Sequence, residues 1–215
     1  MHNKINILVF GDSNSWGWVA GKNGSQRYAY NERWPGVMAL NLGANYNVIE
    51  ESLGGRTTNT TDPRPTFPHR NGHSLLPIIL ETHAPLDIVI IMLGTADLKP
   101  LYDISAKQIA DGLELLVNDV KNAKYVNNSK PPKCLILVPT IIDDSTNFAK
   151  DLFAGGTNKS KQLVTLYKDI AKNNDCLFFN SNPYCKVDPT EGIHITKESH
   201  QNLGNALAQF IKTNF

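Results

Sequence analysis

The chain has 215 residues, 41% of them apolar and 19% charged, with a formal net charge of +1. That length holds one domain with a sizeable core and no need of disulfide or metal staples, and the composition excludes a disordered chain. Scattered Lys and Arg and a near-zero charge argue against a nucleic-acid or membrane surface, and no apolar stretch reaches transmembrane length. In chain order, five apolar runs alternate with helix-like segments: residues 5–10, 46–50, 88–93, 134–138 and 176–179. Residues 33–42 predict a helix ending at Leu42, with Gly43 suited to a left-handed cap, and residues 75–82 predict a shorter one. Ser105 and Gln108 have capping-box spacing, and Ile109, Leu113, Leu116 and Val120 recur on one helical face. Leu163, Leu166 and Ile170 form a second stripe; Leu203, Leu207 and Phe210 form a third, after a candidate N-cap at Thr196. Strands alternating with helices predict an α/β fold, a parallel sheet with helices on both faces. No repeat or linker interrupts it, so a single domain over residues 1–215 is expected.

Three connections are long for a compact domain, residues 18–31, 59–74 and 141–157, and loops of this kind shape sites or interfaces. The proline-rich second one is a candidate subunit contact in a homo-oligomer. Cys134, Cys176 and Cys185 are odd in number and widely spaced, which favours free thiols in a reducing compartment. With an amino terminus that runs almost at once into a strand and shows no signal-peptide pattern, this predicts a cytoplasmic protein.

The chemistry-bearing residues lie just past the apolar runs, where open α/β sheets place their ligands. After the first run, Gly11 permits a sharp turn and Asp12-Ser13 follows, so Ser13 is a candidate nucleophile with a free backbone N–H. A plain strand-to-loop turn, or a phosphate-binding turn, is the competing reading, although neither Gly-x-x-x-x-Gly-Lys-Ser/Thr nor Gly-x-Gly-x-x-Gly occurs. Trp16 and Trp18 suit pocket walls or core packing equally. Gly54-Gly55-Arg56-Thr57-Thr58 and Gly94-Thr95-Ala96-Asp97 follow the second and third runs, where glycines either aim N–H groups at an oxyanion or simply form turns. Near the carboxyl end, Glu191-Gly192-Ile193-His194 offers an imidazole with an acid three residues ahead of it. His69, His73 and His83 fall in and after a proline-rich loop and read as surface histidines; neither a metal nor a cofactor is expected.

Taken in order, Gly-Asp-Ser, Gly-Gly-Arg-Thr-Thr, Leu-Gly-Thr-Ala-Asp and acid-x-x-His resemble the four blocks of the SGNH (GDSL) hydrolases. The likeness is closest to the small bacterial arylesterase and acyltransferase branch and spans almost the whole chain. It implies a flavodoxin-like α/β/α sandwich and ester hydrolysis through an acyl-enzyme without a metal. It also implies residue roles: Ser13 as nucleophile, His194 as general base, the N–H groups of Ser13 and Gly55 as oxyanion donors, and Asp12 and Asp97 as braces of their turns. The Gly-x-Ser-x-Gly elbow of the larger α/β-hydrolases is absent.

Two positions depart from the family pattern. Ala96 stands where an asparagine normally supplies the third oxyanion donor, and losing one such donor typically costs about 100- to 1000-fold in rate. The replacement fits an engineered knock-down, a natural variant in which another amide such as Asn14 or Asn59 substitutes, or drift toward binding an acylated or carbohydrate ligand without turnover. Glu191 stands in place of an aspartate, with Asp188 as the alternative triad acid. The reading is a serine esterase acting on small-molecule acyl esters, with transfer to alcohols if aromatic walls restrict water.

Overall fold

The computed structural model describes residues 4–123 and 130–215. Its sheet has five parallel strands, β1 (Ile5–Gly11), β2 (Tyr46–Ser52), β3 (Ile88–Met92), β4 (Lys133–Val138) and β5 (Leu177–Asn180), in the order β2-β1-β3-β4-β5. The chain therefore starts near the middle of the sheet, winds one way to β2 and returns past β1 to the other edge. Such a reversal leaves a crevice beyond the carboxyl ends of β1 and β3.

Side chains of β1 alternate between two cores. Leu8 and Phe10 face one, with Leu76, Leu80, Leu113, Leu116 and Tyr167; Ile7 and Val9 face the other, with Trp34, Met38, Leu203 and Leu207. The first core is covered by α3 (Gly72–His83), α4 (Ala106–Asn122) and α6 (Gly156–Asn173), the second by α2 (Trp34–Leu42) and α7 (Lys197–Asn214). The result is a three-layer α/β/α sandwich. Helices α2 and α7 approach closely because residue 204 is glycine: a Cβ there would lie 2.6 Å from the Val37 Cβ.

Several boundaries differ from the sequence expectation, each for a local reason. Strand β2 runs on to Ser52, since Gly11 pairs with Ser52 across the ladder. It is an edge strand of half-buried residues, and Glu50 on it binds Arg33 Nε at 2.6 Å, so apolar patterning fades there. Helix α3 begins at Gly72, earlier than residue 75, because the Asn71 side chain caps it by accepting the Ser74 N–H at 3.2 Å. Gly43 has φ 85° but ψ −168°, so it ends α2 at positive φ without entering the left-handed helical region. Strand β5 is displaced by one residue toward the carboxyl end. Two single-turn helices, α1 (Ser13–Trp16) and α5 (Ala149–Leu152), lie in stretches read from sequence as loops. All three cysteines are free; Cys134 and Cys185 are buried and Cys176 is half-buried. No described helix is long and apolar enough to cross a membrane.

Candidate active site

Strand β1 delivers Ser13 to the crevice. The turn after it needs glycine at position 11, where a Cβ would lie 2.2 Å from the Ser15 Oγ. Asp12 then caps α1, its carboxylate accepting the Asn14 N–H at 2.9 Å, and Gly17 ends the helix in the left-handed region. This leaves Ser13 as the first residue of a single-turn helix. Its N–H has no acceptor among the described residues, as a helix start requires.

The opposing side chain arrives from 181 residues away. His194 Nε2 lies 3.0 Å from the Ser13 Oγ, and its Nδ1 lies 2.5 Å from Glu191 Oε2. The other Glu191 oxygen accepts the Gly21 N–H at 2.6 Å. Burial pushes the Glu191 carboxyl up, but hydrogen bonds from His194 and Gly21 outweigh it and leave the carboxyl below the ordinary glutamate value, hence ionised. Asn14 holds the residues on either side of His194: its Oδ1 accepts the Ile195 N–H at 2.9 Å and its Nδ2 donates to the Ile193 carbonyl at 3.3 Å. Trp18 stacks on the imidazole, with centroids 4.8 Å apart and planes inclined by 17°. Between acid and imidazole, Gly192 has φ 76°, and a Cβ there would lie 2.0 Å from the Asp143 carbonyl oxygen. Only glycine lets this turn fold back.

Asp188, the other acid considered, points elsewhere: its Oδ1 accepts the Thr190 N–H and hydroxyl at 2.9 and 2.6 Å. Neither amide offered as a substitute for the missing asparagine reaches the reacting centre. Asn14 is committed to the His194 segment, and Asn59 is outside the cavity lining, its Oδ1 accepting from the Asn71 side chain at 3.3 Å.

The second and third turns meet Ser13 from the other side. Gly55 has φ 78°, and its N–H, like that of Ser13, has no acceptor among the described residues. Arg70 Nε donates to the Gly54 carbonyl at 2.8 Å. Since C=O and N–H of a trans peptide point in opposite directions, that bond turns the Gly55 N–H away from Arg70. Gly54 lies on the Ser13 side of this turn, where a Cβ would be 4.0 Å from the Ser13 Cβ. Ala96 is on the cavity wall and presents only a methyl. Asp97, beneath it, accepts the Thr58 N–H at 3.0 Å and the Thr58 hydroxyl at 2.8 Å, joining the second and third turns.

Asp12 and Asp97 are fully buried, and burial raises them to about 7 and about 6 respectively. For Asp12 the folded chain keeps its proton up to near pH 7 while the unfolded chain loses it near pH 4, so this group's contribution to stability falls as pH rises through that window. Asp12→Asn keeps the capping oxygen and removes the titration. The variant is expected to gain stability relative to wild type between pH 4 and 7, read from urea midpoints; a difference that stays flat or runs the other way contradicts this.

Ser13 and His194 open into a cavity of about 420 Å3, within the range of small-ligand sites. Trp16, Trp18, Phe148, Leu152 and Phe153 form apolar wall, and Arg64, Phe67, Arg70 and Lys99 complete it. The last four carried no signal in the sequence, because only the path of the proline-rich loop and the turn after Ala96 brings them here. Among the described residues no cluster of His, Cys, Asp or Glu is placed to hold a metal: His73 pairs with Asp119, His83 with Glu51, and His69 is exposed. A hydroxyl, an imidazole and a carboxylate joined by two hydrogen bonds can pass a proton from hydroxyl to ring, the arrangement needed for acyl transfer.

Comparison with known proteins agrees with this chemistry. The sequence model of the GDSL-like lipase/acylhydrolase family matches residues 9–201. Among solved structures, a carbohydrate acetylesterase from Sinorhizobium meliloti is 38% identical with TM-score 0.92, covering 99% of this chain and 100% of that one. The aryl esterase of M. smegmatis is 39% identical with TM-score 0.91, covering 98% and 100%. A putative arylesterase from Agrobacterium tumefaciens is 32% identical with TM-score 0.89, covering 98% and 100%. No curated protein matches. The chain belongs to the GDSL-like lipase/acylhydrolase family, the SGNH hydrolases, and is a carboxylic ester hydrolase.

Proposed function

We propose that the protein cleaves small acyl esters of aryl or alkyl alcohols through an acyl-enzyme on Ser13. The observation that carries this is the unbroken hydrogen-bonded chain Ser13–His194–Glu191 opening into the cavity. Ser13 Oγ attacks the ester carbonyl while its proton passes to His194 Nε2. The resulting oxyanion rests against the Ser13 and Gly55 N–H groups. Collapse of the tetrahedral intermediate breaks the ester C–O bond, and the alcohol leaves with the proton from His194. Water then attacks the acyl-Ser13 with His194 again as base, releasing the acid and restoring the hydroxyl. Glu191 holds the ring in the correct tautomer and stabilises the imidazolium. Asp12 and Asp97 brace the turns that present the donors. The free cysteines favour a reducing compartment, so the cytoplasm is the proposed location.

Ala96 leaves the oxyanion with two backbone donors. Ala96→Asn is therefore expected to raise kcat on a p-nitrophenyl ester by about 100-fold. No gain would show that the cavity stabilises the oxyanion without an amide at this position.

The aromatic wall beside Ser13 also favours acyl transfer. An alcohol that packs on Trp16 and Trp18 competes with water for the acyl-enzyme and yields a new ester. With a simple primary alcohol present, product analysis is expected to show that ester beside the free acid; acid alone would remove the transfer activity from the proposal.

A further inference from the structure

The cavity over Ser13 carries more positive charge than a neutral ester requires. Arg64, Arg70 and Lys99 all line it. Arg64 and Arg70 flank Phe67, with guanidinium carbons 4.3 and 5.4 Å from the ring centroid. Lys99 Nζ lies 5.5 Å from the Phe153 ring and 5.8 Å from that of Tyr102.

Their counter-charges are unequal. Arg64 holds Asp62 through two nitrogens, at 2.9 and 2.6 Å, and Tyr102 donates to the same carboxylate at 2.7 Å, so Asp62 is fully used. Arg70 donates to the carbonyls of Gly54 and Pro68, at 2.8 and 2.6 Å, and has no carboxylate partner among the described residues. Lys99 likewise forms no ion pair there. The carboxylates that face it are Asp62, held by Arg64, and Asp12 and Asp97, which are buried and already accept from Asn14 and Thr58. Burial, and then the charge of Arg64, push the Lys99 ammonium below the ordinary lysine value. Burial thus holds Lys99 on a largely apolar wall that Arg64 and Arg70 also line, with no ion-pair partner for it among the described residues, an arrangement that a bound anion relieves.

Resting on the esterase reading above, we propose that the ester this enzyme prefers carries a carboxylate, bound beside Phe67 by Lys99 with Arg64 and Arg70 flanking it. The carboxylate sits on either the acyl or the alcohol part of the ester, and the experiment separates these. One arm compares a naphthyl hemiglutarate with its neutral methyl glutarate counterpart. The other compares the acetate of a carboxynaphthol with that of its carboxamide. In each arm kcat/KM is measured for wild type, Lys99→Met and Lys99→Arg, at low and high salt.

In one arm the charged ester is expected to exceed its neutral counterpart in kcat/KM by about tenfold, the worth of a hydrogen-bonded charge pair. That ratio should shrink with salt, collapse in Lys99→Met and persist in Lys99→Arg. Because the readout is a ratio, a general loss of activity in a variant cancels. Equal or lower rates for the charged ester in both arms overturn the inference and leave the esterase reading standing; so does a preference that survives Lys99→Met. If no ester is cleaved and Ser13 fails to label with a fluorophosphonate, the esterase reading falls and this inference falls with it.

Discussion

Ser13→Ala is expected to lower kcat for ester hydrolysis by about 10^4- to 10^6-fold, leaving only what the remaining donors and the cavity provide over water. The hydroxyl lies 3.0 Å from His194 Nε2 and is a group that can become covalently acylated. The alanine Cβ occupies the serine Cβ position, so the turn and its capping bond from Asn14 to Asp12 stay in place. Thermal stability is therefore expected to change little while turnover disappears. Steady-state kinetics on a p-nitrophenyl ester checks the first part and a melting curve the second. A variant within tenfold of wild type would remove Ser13 from the reaction.

The second large effect is at Glu191. Its two oxygens have different obligations, Oε2 to His194 Nδ1 and Oε1 to the Gly21 N–H. Both partners are donors, and glutamine offers one acceptor oxygen in place of two. Glu191→Gln thus either leaves the Gly21 N–H facing an amide NH2 or turns the NH2 toward His194 and forces the wrong imidazole tautomer. Loss of about 10^3- to 10^4-fold in kcat is expected. Asp188→Asn keeps the single oxygen that accepts both bonds from Thr190 and is expected to stay within a few-fold of wild type. Comparing kcat for the two variants under one assay checks the assignment, and the reverse ranking would move the orienting role to Asp188.

How much of this could be seen in the sequence depends on the physics of each segment. Strands β1, β3 and β4 are legible because they are buried on both faces, and their apolar runs end abruptly at the crevice. The carboxyl half of β2 is obscured because an edge strand tolerates Glu50, Glu51 and Ser52, here answered by Arg33 and His83. The single turn of α1 is too short for any periodicity to mark. At the site, Ser13, Glu191 and His194 are legible because each lies past a strand or beside a turn glycine in a recognisable block. Their supports are not. The Gly21 N–H that holds Glu191 comes from a loop 170 residues away, and the grip of Asn14 on the His194 segment spans about the same separation. Lys99, Arg64 and Arg70 read as ordinary charges, since what makes them unusual is that Lys99 and Arg70 line the cavity and form no ion pair among the described residues, a property of the folded cavity alone.

The hydroxyl of Ser13 being activated by His194 is tested most directly by treating the protein with a fluorophosphonate and mapping the adduct by mass spectrometry. One stoichiometric adduct is expected, located on Ser13 and absent after His194→Ala. No adduct, or one on another residue with Ser13 unmodified, would contradict it.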